Sequence, residues 1–343
     1  MSSGRSEPVL SVRDLNVSFR TRAGRADVVN GLNYDVHAGQ TLAIVGESGS
    51  GKSVGTLALM GLLPSGVSQV EGQAIFDGGD LLAYSEEQLR KVRGAGVGMV
   101  FQDPMTSLNP VLTVERQIVE ALRAHGTVDA RSARRRTVEL LDEVGIPDPA
   151  RRAKVYPHQL SGGMRQRVMI AIALAGQPQV LIADEATTAL DVTVQAQIIE
   201  LIARVQQEND TAVIWITHDL GVVAGIADHV LVMYAGRCVE EGSVDQLFHD
   251  PRHPYTRGLL GSVPVVDDPR SARQRDDLAT MPGLPPDPTA LPAGCAFYPR
   301  CPIKDPTCRD NVPWLRAVHR DKQGGSQGDE TTHRAATYCG LED

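Results

Sequence analysis

The chain has 343 residues and a formal net charge of −8; 42% of its residues are hydrophobic and 22% are charged. This composition is typical of a globular protein with a sizeable core, arranged as one large domain with an extension or as two domains. The negative charge does not favour nucleic acid as a partner, and no apolar run approaches the roughly 18 residues of a membrane-spanning helix. Because residues 1–5 lack the apolar core of a signal peptide, we expect the chain to stay in the cytosol and to meet a membrane only through a partner.

Two predicted strands lead to the first strong motif. Residues 9–19 alternate between apolar and polar side chains, which predicts strands with one face in solvent. Residues 42–45 are a continuous apolar run, and a glycine-rich loop at 46–53 follows it directly. The next residues, 54–60, can form a helix. This order of strand, loop and helix is that of a phosphate-binding cradle.

The loop carries the residue types that bind a nucleotide triphosphate. Its glycines let backbone N–H groups converge on an anion, and the helix start adds the positive end of its dipole. Lys52 can reach the β and γ phosphates, and Ser53 offers a hydroxyl to Mg²⁺. An ordinary Gly/Ser-rich turn is the alternative interpretation, although the context on both sides disfavours it. The predicted nucleotide contacts in the loop are Gly46, Ser48, Gly49, Ser50, Gly51, Lys52 and Ser53.

Two further candidate residues lie at predicted strand ends. Phe19 is either a core side chain or a ring that stacks on the adenine base. Beyond the loop, strands are predicted at 72–76 and 96–101, with a polar helix at 85–93 between them. Gln102 follows the second of these strands, and its amide oxygen can ligate Mg²⁺ or hold a water molecule beside a phosphate site.

A helical block comes next and ends in a second anion-binding motif. Helical periodicity at 113–155 predicts an insertion subdomain at about 105–165. Ser161 then stands where a helix N-cap belongs, and Gly162 and Gly163 leave its backbone N–H groups uncovered. One nucleotide does not need two such cradles in one chain. We therefore predict that Ser161, Gly162, Gly163 and the nearby Gln166 contact a nucleotide held by another subunit.

Adjacent carboxylates follow a predicted central strand. The short apolar run at 180–183 has the pattern of a parallel strand covered on both faces, and Asp184 and Glu185 follow it. In open α/β sheets, the carboxyl ends of strands border the ligand crevice. We predict that Asp184 holds Mg²⁺, directly or through water, and that Glu185 polarises the attacking water.

The last predicted strands surround a histidine. Asp191, predicted to contact the nucleotide, precedes an amphipathic helix predicted at 194–206. The following strand, at 212–216, ends just before His218. A lone histidine is more often structural, but this one is better placed for a γ-phosphate contact. A pair of strands is predicted within 230–240.

The composition changes after about residue 248. The tail is rich in proline and contains Cys295, Cys301, Cys308 and Cys339. In a reducing cytosol, four clustered thiols favour a metal over disulfides. The five, six and 30 residues that intervene between successive cysteines match neither zinc ribbons nor the compact ferredoxin pattern. Free thiols or redox disulfides therefore remain the alternative.

Taken together, these motifs resemble those of the ATPase subunits of ABC transporters. The Walker A, Q-loop, signature, Walker B, D-loop and switch-histidine motifs correspond, in order, to 46–53, Gln102, 160–166, 184–185, 189–191 and His218. The neighbouring segments 101–110 and 253–256 and the tail segment 294–302 resemble the dipeptide/oligopeptide importer branch. The resemblance implies an α/β fold: a P-loop ABC ATPase with a mainly parallel core sheet, an N-terminal antiparallel β subdomain, a helical insertion and a cysteine-containing C-terminal extension. Residues 1–247 would form the ATPase domain and 248–343 the extension.

The resemblance also implies a function and a set of partners. ATP hydrolysis would drive uptake of di- or oligopeptides, with the chain bound peripherally at the cytoplasmic face of the cell membrane. Its partners would be a second ATPase subunit, related but not identical, two membrane permease subunits and an extracytoplasmic substrate-binding protein. Nickel, glutathione and oligosaccharides are alternative cargoes. A soluble ABC ATPase of DNA repair or translation and a metal-responsive regulator are the competing classes.

ATP and Mg²⁺ are the implied cofactors of the ATPase domain. In the tail, the resemblance implies a [4Fe–4S] cluster on Cys295, Cys301, Cys308 and Cys339. Zinc is the alternative, and at a zinc site His319 or His333 could replace the last cysteine.

Overall fold

The computed structural model describes residues 7–126, 129–187, 191–262, 281–318 and 333–337. Cys339, the alternative ligand His319 and residues 189–190 of the D-loop lie outside the described residues. The chain divides into two compact units, each built from several segments. The first comprises Met1–Ser11, Asp35–Thr41 and Ile75–Ile216, and the second Val12–Tyr34, Leu42–Ala74 and Thr217–Asp343. The domain boundary at residue 247 and the bounds of the helical insertion stay predictions.

Most of the strands occur where the apolar pattern predicts them. They are β1 (Leu10–Thr21), β2 (Gly24–Val36), β3 (Thr41–Val45), β4 (Ser68–Phe76), β5 (Gly79–Asp80), β6 (Val97–Val100), β7 (Val180–Asp184), β8 (Ala212–Thr217), β9 (His229–Tyr234), β10 (Arg237–Ser243), β11 (Arg316–Ala317) and β12 (Arg334–Ala335). The apolar pattern does not predict β2, because the buried residues of this strand are three apart from Ala26 to Leu32 and only then alternate. The two-residue strands are too short to have a period.

The predicted helical segments are helical in the structure. The helices are α1 (Lys52–Leu59), α2 (Glu86–Val92), α3 (Pro104–Ser107), α4 (Val114–His125), α5 (Ala130–Glu143), α6 (Pro149–Arg152), α7 (Gly162–Leu174), α8 (Val192–Asn209), α9 (Leu220–Ile226), α10 (Val244–His249) and α11 (Pro254–Gly261). Of these, α9, α10 and α11 lie where no helix is predicted. Several helices begin at a polar N-cap, as at Ser85, where a capping box with Gln88 starts α2. None of the described helices is both long and apolar enough to cross a bilayer.

In the first unit, three parallel strands lie side by side, and the middle one ends at the predicted carboxylates. β7 lies between β6 and β8, with Val97 opposite Val180 and Asp184 opposite Ile216. Every residue of β7 and β8 is buried, which confirms the prediction of a central strand covered on both faces. The helices α4 and α5 pack against each other and against α7, so the predicted helical block is present.

The second unit contains a mixed set of strands. β3 pairs with β9 in parallel, and β9 pairs with β10 in antiparallel orientation through the turn at Ala235 and Gly236, as predicted. From β10 the tail adds two strands, because β12 pairs with β10 and β11 with β12. Most of β1, β2 and β4 also lies in this unit and belongs to a separate sheet, in which β1 is the middle strand of the three. The core beside β9 includes residues from the tail, among them the buried Phe297.

Candidate nucleotide site

The glycine loop has a backbone that other residues rarely adopt. Gly46, Gly49 and Gly51 have φ angles of +153°, +80° and +99°. A Cβ on Gly51 would lie 2.5 Å from the carbonyl oxygen of Val28, and a Cβ on Gly46 would overlap the carbonyl oxygen of Met233. Gly51 is also the N-cap of α1 and provides no capping side chain. Glycine is therefore required here both for the backbone angle and for space.

The lysine of the loop lies within its curve. Lys52 is only 5% exposed. Its Nζ donates to the carbonyl oxygens of Gly46 at 2.7 Å and Glu47 at 2.9 Å, and to Ser50 Oγ at 3.4 Å. Ser48 and Gly49 are exposed. A buried ammonium inside a ring of backbone groups at a helix start has the chemistry to bind phosphate oxygens.

Residues distant in sequence support the loop. The N–H of Gly236 donates to the carbonyl of Ser50 at 3.0 Å, so the β9–β10 turn holds the middle of the loop. Near its beginning, the N–H of Glu47 donates to the hydroxyl oxygen of Tyr255 at 2.8 Å. The carboxylate of Glu47 accepts two hydrogen bonds from Arg300, at 2.8 and 3.0 Å. No sequence motif predicts these contacts of Tyr255 and Arg300, although both residues stand in segments that resemble the importer branch.

An aromatic cluster lies next to these supporting contacts. The rings of Tyr234 and Tyr255 are 4.6 Å apart between centroids, and Phe297 lies 5.2 Å from the first and 5.5 Å from the second. Burial raises the pKa of both tyrosines, so their hydroxyl groups stay protonated at neutral pH. The hydrogen bond to Glu47 raises the pKa of Arg300, whose guanidinium keeps its charge.

In the first unit, the structure brings Gln102 and Glu185 together. Gln102 Nε2 donates to Glu185 Oε2 at 2.8 Å. Glu185 has a φ of +46°, and its N–H donates to the carbonyl of Ile216 at 2.9 Å. This left-handed conformation turns the chain sharply after β7 and costs about 1–3 kcal/mol, as strained residues at functional sites often do. Asp184, the last residue of β7, is 4% exposed.

The second predicted anion-binding motif begins α7. Ser161 is its N-cap, and the hydroxyl oxygen accepts from the N–H of Met164 at 3.3 Å. Gly162 is exposed, and a Cβ there would meet no atom within 4 Å. The predicted nucleotide contact of Gln166 stays a prediction, and its side chain is 2% exposed. Its amide nitrogen has no hydrogen-bond partner among the described residues.

The remaining nucleotide-site residues stay predictions. His218 is exposed and directly follows β8. Asp191 accepts from the N–H of Val194 at 2.9 Å and thereby caps α8. Phe19 is half-buried near the end of β1.

The described cysteines do not by themselves form a metal centre. The N–H of Cys295 donates to the carbonyl of Cys308 at 2.8 Å, and Cys301 packs with Cys295 against the core of the second unit. Within the described ranges, no group of three or more His, Cys, Asp or Glu side chains is placed to hold a metal ion. The alternative ligand His333 is buried and bonds Glu240 at 2.8 Å through Nε2.

Comparisons with known proteins agree with these motifs. The family model described as ABC transporter matches residues 29–188, and the model of the oligopeptide/dipeptide transporter C-terminal region matches 239–308. An oligopeptide transport ATP-binding protein of Bacillus subtilis is 53% identical over 290 residues, which are 84% of this chain and 80% of that protein. A dipeptide transport ATP-binding protein of the same organism is 51% identical over 303 residues, 88% of this chain and 89% of that protein.

Solved structures support the fold. The dimeric ATP-binding cassette MJ0796, in a post-hydrolysis state bound to ADP and Pi, is 27% identical with a TM-score of 0.62 and covers 68% of this chain and 98% of that chain. The protein cbiO1 from Clostridium perfringens, part of the ABC transporter complex cbiONQ, is 30% identical with a TM-score of 0.60. The match covers 71% of this chain and 92% of that chain. Together these matches confirm the predicted ABC ATPase class. The chain therefore belongs to the ABC transporter family, in its branch of ATP-hydrolysing subunits of oligopeptide and dipeptide importers.

Proposed function

We propose that the chain binds Mg-ATP at the loop 46–53, hydrolyses it with Glu185 as the general base, and uses this cycle to drive uptake of di- or oligopeptides. The buried Lys52 ammonium, enclosed by loop carbonyls at 2.7 and 2.9 Å, is the observation that carries the proposal. The names of the curated relatives, which are peptide transport proteins, support peptides over nickel, glutathione or oligosaccharides as cargo.

Each predicted site residue has a proposed role. Asp184, Ser53 and Gln102 offer oxygen atoms of the kind that Mg²⁺ prefers, and the bound ion would neutralise charge on the β and γ phosphates. Glu185 accepts a proton from the attacking water, and His218 contacts the γ-phosphate. Phe19 stacks on the adenine base, the role that its aromatic ring allows.

The start of α7 supports a proposed ATPase pair. Ser161 accepts a hydrogen bond from the helix through its oxygen, so its O–H can still donate to an anion. We assign Ser161, Gly162, Gly163, Gln166 and Asp191 to a nucleotide held by a second ATPase subunit. The dimeric state of the solved cassette MJ0796 agrees with this pairing. Two permease subunits and an extracytoplasmic binding protein complete the proposed complex, with the chain at the cytoplasmic face of the membrane.

The cysteine-containing extension has a separate proposal. We assign a [4Fe–4S] cluster to Cys295, Cys301, Cys308 and Cys339, with zinc as the alternative. The hydrogen bond between Cys295 and Cys308 supports their proximity, and the remaining support is the resemblance. Chain purified without oxygen should contain iron and acid-labile sulfide in equal amounts, and Cys301→Ser should lose both. Stoichiometric zinc without iron would end this proposal.

The substitution Glu185→Gln tests the catalytic assignment. It keeps the shape of the side chain and its contact with Gln102 but removes the basic oxygen. We expect ATP to bind as in the wild type and phosphate release by the assembled complex to fall roughly 10²-fold to 10⁴-fold, the usual range for loss of a general base. Glu200→Gln is the matched control, because Glu200 is an exposed glutamate of the same unit, on α8. Turnover of Glu185→Gln close to that of this control would remove Glu185 from its proposed role.

A further inference from the structure

An ion pair links the tail to the phosphate loop. Arg300 Nη1 donates to Glu47 Oε2 at 2.8 Å, and Arg300 Nη2 donates to Glu47 Oε1 at 3.0 Å. The two residues are 253 positions apart in the sequence. The Arg300 side chain is 6% exposed and that of Glu47 24%, so solvent screens this pair only partly. A two-pronged arginine–carboxylate pair of this kind fixes geometry as well as charge.

Contacts with other protein residues hold the guanidinium of Arg300 in place. Arg300 ends the 3-10 turn Tyr298–Arg300, which lies between Cys295 and Cys301. Its Nε donates to the carbonyl of Pro282 at 2.9 Å. Its guanidinium carbon lies 5.8 Å from the ring centre of Tyr234 and 5.9 Å from that of Phe297. These contacts pre-organise the arginine fork, so little conformational freedom is lost when it binds the carboxylate.

Glu47 is the second residue of the phosphate loop, so its charge and its position both matter there. Its carbonyl oxygen accepts from Lys52 Nζ at 2.9 Å, and its N–H donates to Tyr255. A carboxylate without a partner at this place would repel a polyphosphate and would compete for the Lys52 ammonium. Arg300 neutralises that carboxylate and also fixes its direction.

We propose that Arg300 is a positioning residue of the nucleotide site, through which the cysteine-containing segment of the tail sets the affinity of the phosphate loop for ATP. The proposal rests on the proposed function, in which this loop binds ATP. It assigns to residues 295–301 a role in nucleotide affinity whether or not they hold a metal. Because the effect is electrostatic, it is larger for ATP than for ADP, which has one phosphate fewer.

A charge-removal cycle in the full-length chain tests this role. Dissociation constants for fluorescent ATP and ADP analogues are measured with Mg²⁺ for the wild type, Arg300→Gln, Glu47→Gln and the double variant. We expect Arg300→Gln to weaken ATP binding about tenfold, within the usual range of coupling between sites. Glu47→Gln should tighten it about threefold, and the double variant should bind within about threefold of the wild type, because both charges are gone.

The matched control is Arg309→Gln, which removes the same charge from an exposed position of the same tail segment. It should leave ATP binding unchanged. Arg300→Lys keeps the charge but loses the fork, so we expect it to recover part of the affinity. Thermal unfolding of each variant establishes that it is folded. If Arg300→Gln does not fold, Glu47→Gln alone decides, and weaker ATP binding by Glu47→Gln overturns the proposal.

Two results for the folded variants would overturn the proposal for Arg300 and leave the proposed function standing. One is Arg300→Gln that binds ATP as tightly as the wild type. The other is a double variant that binds ATP as weakly as Arg300→Gln, which would make Arg300 a packing residue only. If instead the wild-type chain itself does not bind ATP, or if Lys52→Ala binds it equally well, the proposed function fails. The two failures are therefore distinguishable.

Discussion

The two helix starts that carry anion-binding motifs are built differently. α7 begins with Ser161, which caps its own helix by accepting from Met164 three residues later. α1 begins with Gly51, which has no side chain to cap it and has a φ of +99°. A helix start that leaves its N–H groups available to a ligand gives up local capping, and residues elsewhere must supply the stability. The loop before α1 is held in this way by the β9–β10 turn and by the tail.

The comparison explains where each motif is sensitive to substitution. The cap at the start of α7 lies within one helical turn, although Val194 of α8 also packs close to Gly163. The phosphate loop depends on Tyr255, 208 positions from its partner Glu47, and on Arg300, 253 positions away. Changes far from the loop in sequence should therefore alter nucleotide binding, and comparable changes should leave the start of α7 intact.

The largest expected effect comes from Gly51→Ala. A left-handed backbone costs an alanine about 1–2 kcal/mol, and overlap with the Val28 carbonyl adds about 1–3 kcal/mol. We expect this variant to lose measurable ATP binding and to unfold at a lower denaturant concentration. Gly162→Ala is the matched control, since a Cβ there meets no atom within 4 Å. If the two variants unfold at the same denaturant concentration and bind ATP with the same affinity, the two helix starts tolerate a side chain equally and the comparison fails.

The next effect is a loss of stability in acid that depends on His253. Its Nδ1 accepts from the N–H of Tyr255 and caps α11, the helix that carries the Tyr255 hydroxyl. Burial lowers the pKa of His253 to about 4, below the unfolded value of about 6.5, although the charge of Glu240 opposes the shift. The stability contributed by the neutral ring is fully present above pH 6.5 and falls as the pH drops towards 4. The loss between pH 7 and pH 4.5 should be about 2–3 kcal/mol.

Urea unfolding of the wild type and His253→Asn at both pH values measures this loss. Asparagine is a good N-cap but does not titrate in this range, so the variant should lose less stability in acid than the wild type. Equal losses in the two proteins would show that His253 does not control the acid response. ATP affinity is then measured at pH 7 and at pH 5.5. Because Tyr255 of α11 contacts Glu47 of the phosphate loop, a weaker start of α11 should lower the affinity of the loop for ATP.

The smallest effect is expected for Ser161→Ala, which removes the local cap of α7. Loss of a serine cap typically costs about 1 kcal/mol. Urea unfolding should report that cost, and ATP binding by the isolated chain should not change, because Ser161 is assigned to a nucleotide of the partner. Ser161→Asn, which can still cap the helix, should recover most of the stability. A change in ATP binding by Ser161→Ala in the isolated chain would contradict the assignment to a partner.

Local chemistry made much of the fold and site predictable. The apolar run before Asp184 predicts a strand buried on both faces, and β7 is that strand. The glycine-rich stretch at 46–53 predicts a loop followed by a helix from residue 54. The observed helix, α1, begins two residues earlier, at Lys52, and the glycines before it have positive φ angles. The nucleotide contact predicted for Gln166 stays a prediction, and the structure adds that this side chain is buried.

The sequence alone therefore determined the phosphate loop, the strand that ends at Asp184 and the cap at Ser161, since each depends on neighbouring residues and backbone preferences. Only the tertiary structure decided that Arg300 pairs with Glu47 and that Tyr255 takes the N–H of the same residue. The physical reason is that a charged or hydroxyl side chain can pair with many partners. Which partner it meets depends on how segments more than 200 positions apart pack against the core at Tyr234 and Phe297.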